Sequence, residues 1–541
     1  MSVILSVYAG PHDGAIAILK DGEVLVNLEN ERITRKKYDG GFSMAMFEQV
    51  FENANIKHSE VDFIIVDGKV GGKIPEIIKN PKGIPWDDTV QLSKQTVYKG
   101  TCEFYSRPLP LFSIHHHLSH SAGSYYTSPF EDAVIITADS GGMGFNFSTS
   151  IAQNRILKPL TFSWTTPLGW WWARLPEYYG VNNPGTLMAI GAYGRKNDLL
   201  KNELLSQMFT NSSSSITKQN IDIGRKTNED GIPQKTLNPK IKGEADLALA
   251  LQEITDNVFS GWFKQIFNKE VSQNLCFSGG LALNCISNSR AAVNAGIKKF
   301  HVPPNPNDCG IAMGAALALH HYVLKNEYKP KYFSPYKGLR YSNDKIEKLL
   351  REFKKNNKLK ITKTTNENIA DLLSKNFIIA RFFGRSEAGP RALGHRSFIA
   401  SPNKKDLKNI MNKVKKREWY RPFAPIIIKS EAENVLENVL NNSYYMNTSS
   451  VIKEEWRDRL SGVIHEDNST RPQLIDKNSS KDLLEIVNIF YKKTGIPAIL
   501  NTSFNVNGPL VETPQHAIET FLKLPSEVKY LQLDSFLIEK L

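Results

Sequence analysis

Four histidines crowd one short stretch of this chain, His115, His116, His117 and His120, and Asp139 follows soon after them. His116 and His120 stand one helical turn apart, so on a helix both imidazoles lie on one face and can bind one ion. His115 and His117 belong to the same run, and either can be the liganding member instead. The apolar run Val134–Ala138 reads as a buried strand ending on Asp139, whose carboxylate can complete a mixed nitrogen and oxygen site. Such a site suits a borderline divalent ion: Fe(II), Mn or Zn. Gly141 and Gly142 follow, and glycines let backbone amides approach a phosphate closely. A metal beside a phosphate-binding turn points to nucleotide chemistry.

Further segments carry compatible chemistry. Ser278–Asn284 (SGGLALN) sits between a strand and a helix, where Gly279, Gly280 and Asn284 let a nucleotide meet backbone amides at a helix start. Asp308, in the run NDCG, either caps the following helix or supplies a second carboxylate to the metal. Pro184–Gly194 (PGTLMAIGAYG), with Gly185, is another glycine-bounded turn able to face a triphosphate. Later come three runs rich in arginine, proline and glycine: Gly384–Ser397 (GRSEAGPRALGHRS), Lys416–Pro425 (KREWYRPFAP) and Leu500–Pro514 (LNTSFNVNGPLVETP). Arginine forks bind phosphates and carboxylates through paired hydrogen bonds. Arg391, Arg421 and Arg471 can therefore converge on one small anion, with Asn501, Thr502 and Ser503 as neutral donors.

The elements that must hold these residues are those of an α/β protein. Val3 to about Asn27 reads strand, turn, strand, an opening shared by actin-like and sugar-kinase-like nucleotide folds and by many others. A polar tract over 211–242 reads as an exposed excursion. Apolar spacing predicts a long helix over Ala245–Phe267, a strand over Asn274–Phe277 and a helix over Ile311–Leu324. Regularity breaks at Lys325–Gly338, which predicts two domains, 1–335 and 336–541. No internal repeat of fixed period is visible in the sequence.

Hydrophobic residues at 41% and charged residues at 23% are ordinary for a globular protein. The four cysteines form no CxxC pair, which argues against a thiolate metal site and for a reducing, cytoplasmic setting. No apolar run is long enough to cross a bilayer, so no membrane partner is expected. The formal charge of +13 favours a polyanionic partner, and an AT-rich coding bias toward Lys and Asn gives the same value without one.

Taken in order, HDGA, ERITRKKYDGG, HHLSH, TADSGG, SGGLALN, NDCG, GPRALG, RPFAP and NTSFN run through nearly the whole chain. This set resembles the O-carbamoyltransferases that decorate antibiotics and nodulation factors. The resemblance implies an actin-like ATPase (ASKHA-type) N-terminal domain followed by an α/β domain similar to threonylcarbamoyl-adenylate synthase. It implies His116, His120, Asp139 and Asp308 as ligands of Fe(II) or a similar ion, and ATP and carbamoyl phosphate as co-substrates. It also implies Arg391, Arg421, Arg471, Asn501 and Ser503 as the carbamoyl phosphate site, with His12 and Lys37 near the carbamoyl and acceptor groups. Three positions depart from the family pattern. Lys37-Tyr38 stands where Lys-His is common, Thr186 where Lys is usual, and Asn507-Gly508-Pro509 lacks a basic residue and a glutamate.

The expected reaction is a two-step transfer through carbamoyl adenylate to an acceptor hydroxyl. The basic charge directs the acceptor expectation to a hydroxymethylated pyrimidine such as 5-hydroxymethylcytosine, in DNA or as a nucleotide, with Trp170–Trp172 as aromatics able to receive an extruded base. A sugar or natural-product hydroxyl is the second acceptor reading. A tRNA threonylcarbamoyl enzyme and a non-catalytic scaffold of the same fold are the alternatives from other classes. A second copy of the chain, as a homodimer, is a further candidate partner.

Overall fold

The computed structural model describes residues 2–66, 75–84, 95–178, 184–210, 242–267, 270–356 and 358–541. The tract expected as an exposed excursion lies outside these residues except for Lys242, which opens a helix running to Ile266.

The N-terminal part holds two mixed sheets. The first contains β1 (Val3–Tyr8), β2 (Ala15–Lys20), β3 (Glu23–Glu29), β4 (Phe63–Val66), β5 (Ile78–Lys82), β6 (Val97–Phe104) and β7 (Arg107–Ile114), in the order β3-β2-β1-β4-β7-β6-β5. The second contains β8 (Ala133–Gly142), β9 (Phe145–Gln153), β10 (Ile156–Ser163), β11 (Asn274–Ser278) and β12 (Lys299–His301), in the order β10-β9-β8-β11-β12. In each, three antiparallel strands form a meander whose first member then pairs in parallel with a later strand. β4 pairs in parallel with β7, as β11 does with β12. The same topology thus occurs twice, as in the actin-like ATPase fold. This repeat is one of chain path, and the sequence shows no trace of it.

Between the sheets lie the helices His116–Tyr126 and Ile311–Leu317, buried at every residue. One apolar cluster runs from Ile4 and Ala15 in the first sheet through Leu118, Ala122 and Ala315 to Ile135 and Cys276 in the second. The helices approach closely at Gly314, where a Cβ would lie 2.1 Å from the Ser119 carbonyl oxygen. Beyond Leu317 the expected α-helix changes to π-helical geometry over Ala318–Val323.

Residues 325–342 form neither helix nor strand. Tyr336 in this stretch stacks on His395, with ring centroids 3.7 Å apart. After it comes an eight-stranded mixed sheet. Its strands lie in the order Leu359–Lys363, Phe536–Lys540, Tyr530–Leu533, Ile379–Phe382, Arg396–Ala400, Ala498–Ser503, Ala424–Ile428 and Gln473–Ile475. No helix among the described residues is long and apolar enough to cross a membrane.

Candidate active site

His115 caps the His116–Tyr126 helix, its side chain accepting from the His117 amide, so the next turn presents His116 and His120 on one face. The close helix crossing brings the turn Asp308–Gly310, which leads into the Ile311–Leu317 helix, up to that face. Asp139 arrives from β8, which continues past the expected end to Gly142, with a register slip between Ala138 and Gly142. His120 Nε2 lies 3.1 Å from Asp139 Oδ2 and 3.6 Å from Asp308 Oδ1; His116 Nε2 lies 3.4 Å from Asp308 Oδ1. One ligand atom from each of the four residues falls within 4.8 Å of every other. Both nitrogens of His116 are buried without a hydrogen-bond partner.

Two imidazoles and two carboxylates converging on one point, with orphaned ring nitrogens, fit a borderline divalent cation. Burial alone would lower the His120 pKa, but Asp139 and Asp308 outweigh it and lift the imidazole to about 9. The pocket therefore attracts positive charge.

The structure also separates the other two histidines from this point. His117 is engaged through Nδ1 with Thr137 Oγ1 at 2.6 Å and through Nε2 with the Phe145 carbonyl at 3.0 Å. His115 serves as the cap and packs on Phe162.

Behind the aspartates opens a cavity of about 390 Å³ lined by His12, Lys37, Asp139, Asp308, Gly185, Gly280 and Asn284 among others. Gly280 reaches Asp139 directly, its amide donating to Oδ2 at 3.0 Å. Gly279 (φ +95°) lies behind this contact, where a Cβ would meet the Ala138 carbonyl oxygen at 2.1 Å. Asn284 caps the Cys285–Asn294 helix and pairs with Gln252, so its amide is committed to structure as well as facing the cavity. Gly141 is set apart from the lining, beneath Trp164. His12 is 47% exposed, with Nδ1 3.0 Å from Asp13 Oδ2 and 3.9 Å from Asp308 Oδ2. Burial, reinforced by Arg421 and Arg391, lowers the Lys37 pKa.

A second cavity, about 160 Å³, is lined by Arg391, Arg421, Arg471, Asn501 and Ser503 together with Arg417. Its charge is poorly compensated. Burial and then Arg471 push Arg391 down to about 9, and burial and then Arg421 push Arg417 well below its usual value. The Nε atoms of Arg391 and Arg471 are buried and unpartnered. A cluster of buried, mutually repelling guanidinium groups is a site for an anion. The two cavities share Gly185, Met188, Pro390, Arg391, Arg421 and Ser503 as wall.

Sequence reasoning missed several members. Tyr8 donates to Asp308 Oδ2 at 2.5 Å. Lys415, buried and pushed well down in pKa by burial and Arg417, donates to Ser503 Oγ at 3.1 Å and Asn505 Oδ1 at 2.7 Å. Lys415 stands one residue before the KREWYRPFAP run, so its position beside that run was the available signal. The Trp170–Trp172 run divides between the core and the larger cavity, which Trp172 lines. Trp171 and Trp172 are 2% and 6% exposed in the core, and the Trp172 indole donates to Thr255 Oγ1 at 3.0 Å.

The carbamoyltransferase N-terminus family model matches residues 4–81 and 86–317, and the carbamoyltransferase C-terminus model matches 370–540. Nodulation protein NolNO of Sinorhizobium fredii is 28% identical, over 98% of this chain and 79% of its own length. Uncharacterized protein MJ1051 of Methanocaldococcus jannaschii is 30% identical, over 99% of this chain and 100% of its own. Among solved structures, component A of the Acidaminococcus fermentans (R)-2-hydroxyglutaryl-CoA dehydratase is 14% identical. It covers 60% of this chain and 100% of its own, with a TM-score of 0.35. With both family models matching in order over most of its length, this chain belongs to the carbamoyltransferase family.

Proposed function

We propose that this carbamoyltransferase runs two half-reactions in the two adjoining cavities, with ATP and carbamoyl phosphate as co-substrates. The observation that carries this reading is the shared wall, which puts an arginine-lined anion cavity against a cavity bordered by Asp139, Asp308 and His12.

In the first half-reaction Arg391, Arg421, Arg471, Asn501 and Ser503 hold carbamoyl phosphate. Water cleaves it to carbamate and phosphate. A carbamate oxygen then attacks the α-phosphorus of ATP, forming carbamoyl adenylate as the bond to pyrophosphate breaks. The guanidinium groups hold the phosphoryl oxygens and offset the charge carried by pyrophosphate as it leaves. Passage along the common wall keeps the anhydride away from bulk water.

In the second, the acceptor oxygen attacks the carbamoyl carbon, the bond to the AMP oxygen breaks, and the hydroxyl proton passes to His12. Asp13, 3.0 Å from His12 Nδ1, favours the imidazolium so formed. His116, His120, Asp139 and Asp308 would hold a divalent cation, Fe(II) first with Mn or Zn as substitutes, which would supply positive charge to offset that of the nucleotide. Lys37 adds a cation on the same side, and the amide of Gly185 offers a donor to the nucleotide, while the Gly280 amide holds Asp139 in place.

The acceptor we propose is a hydroxymethylated pyrimidine, in DNA or as a nucleotide. The support is the net charge of +13. Pyrophosphate release from ATP that requires carbamoyl phosphate tests the first step. A panel of 5-hydroxymethylcytosine DNA, its nucleotide and neutral sugars, read by mass spectrometry for one added carbamoyl group, tests the second. Modification confined to neutral sugars, or insensitive to salt, removes the polyanion acceptor.

A further inference from the structure

The helix Pro184–Ile190 belongs to the N-terminal part, yet its side chains meet the arginine cavity of the C-terminal part. Arg421 Nη1 donates to Thr186 Oγ1 at 2.7 Å. One turn on, His465 Nε2 lies 3.0 Å from the Ala189 carbonyl oxygen. A carbonyl oxygen can only accept, so the His465 proton sits on Nε2. The helix is thus held to the far side at two points, and its Gly185 and Met188 line both cavities.

Arg421 is a guanidinium that needs holding. It stands in the wall of both cavities, and Arg391, Arg417, Lys37 and Lys415 all feel its charge. Its one carboxylate neighbour among the described residues is Glu418, 3.5 Å away and on its own loop. Repulsion from the other cations drives Arg421 out of the cluster unless something fixed opposes it. Thr186 is completely buried, so its hydroxyl is a fixed acceptor. A hydroxyl also leaves the guanidinium charge uncancelled, whereas a carboxylate at the same place would satisfy the arginine and compete with any incoming anion.

We propose that Thr186 is a positioning residue for the anion cavity: its hydroxyl holds Arg421 at the common wall, so that phosphate affinity on one half of the molecule depends on a side chain from the other. The substrate version of this statement rests on the carbamoyl phosphate reading above; the version for inorganic phosphate does not.

Thr186→Val keeps the shape and removes the acceptor, Thr186→Ser restores it, and Thr186→Ala removes it by a second route should the valine variant fold poorly. Inorganic phosphate is titrated calorimetrically into each full-length protein, and pyrophosphate release is followed against carbamoyl phosphate concentration. A lost hydrogen bond to a charged group corresponds to about tenfold in affinity. We expect phosphate binding and the KM for carbamoyl phosphate to weaken about tenfold in the valine or alanine variant, with kcat changed less than twofold and the serine variant near the parent. Equal phosphate affinity in the parent and in the folded valine or alanine variant overturns the proposal, as does a serine variant as weak as valine. Phosphate binding with the expected pattern, but no pyrophosphate release by the parent, keeps Thr186 in this role and removes carbamoyl phosphate as the substrate. A parent protein that binds no phosphate overturns both.

Discussion

Glu29 offers a quantitative test of how the two halves are joined. It is 4% exposed at the end of β3; its Oε1 accepts from the Gly389 amide at 2.5 Å and its Oε2 lies 3.2 Å from Arg32 Nε. Glu31 and Glu512 lie near the same guanidinium, at 3.8 and 3.6 Å. Burial, opposed by Arg32, pushes the Glu29 carboxyl up from 4.5 to about 7. A folded pKa above the unfolded one means that this group's stabilising contribution is complete below about pH 4.5 and is lost as pH rises through about 7. The rise from 4.5 to about 7, at about 1.36 kcal/mol per tenfold change in proton affinity, amounts to about 3 kcal/mol. Glu29→Gln, a neutral isostere of the protonated acid, removes that loss. The variant should match the parent at pH 4.5 and exceed it by about 3 kcal/mol at pH 8. At about 2.1 cal/mol/K of unfolding entropy per residue, 541 residues convert this to about 3 °C in melting midpoint if both halves melt together. Scanning calorimetry of both proteins at the two pH values reads the difference directly. A gap between the curves that stays constant with pH, or a variant that loses ground as pH rises, would show that Arg32 keeps Glu29 ionised and would refute the reasoning.

Removing the cation instead should do the reverse. Arg32 is fully buried, and Arg32→Met leaves Glu29 and Glu512 uncompensated; about 3–5 kcal/mol should be lost at pH 8 and less at pH 5, measured by the same melts. Tyr8→Phe deletes the hydroxyl that orients Asp308 and should weaken Mn or Zn binding about 10–100-fold in a chelator competition; unchanged affinity would dismiss Tyr8 from the metal pocket. His12→Asn should slow carbamoyl transfer about 100-fold or more while leaving pyrophosphate release intact, and transfer at the parent rate would exclude His12 as proton acceptor.

Chemistry that repeats locally was the legible part of this chain. Helical spacing put His116 and His120 on one face, and the strand before Asp139 and the turn at Asp308 both exist, because each depends on neighbours in sequence. Choosing among the four histidines needed three dimensions, since only the fold commits His117 to Thr137 and Phe145. The tryptophan run was ambiguous because apolar aromatic residues look alike at a site mouth and in a core; Trp171 and Trp172 share a core cluster with the long Lys242–Ile266 helix, and Trp172 also lines the larger cavity. The ERITR segment was recognisable but silent about its role. Arg32 and Arg35 act on Gly389 and on Pro509 and Leu510, contacts that join distant parts of the chain and have no local pattern. Thr186 was visible only as a departure, and its partner Arg421 emerged from the fold.

The division of labour between the cavities is tested most directly by following pyrophosphate release and carbamoyl transfer in the same reactions for Asp308→Asn and Arg471→Met. The account predicts that the Asp308 variant still releases pyrophosphate when given ATP and carbamoyl phosphate but transfers nothing, and that the Arg471 variant does neither. A folded Asp308 variant unable to release pyrophosphate, or an Arg471 variant that releases it at the parent rate, would contradict it.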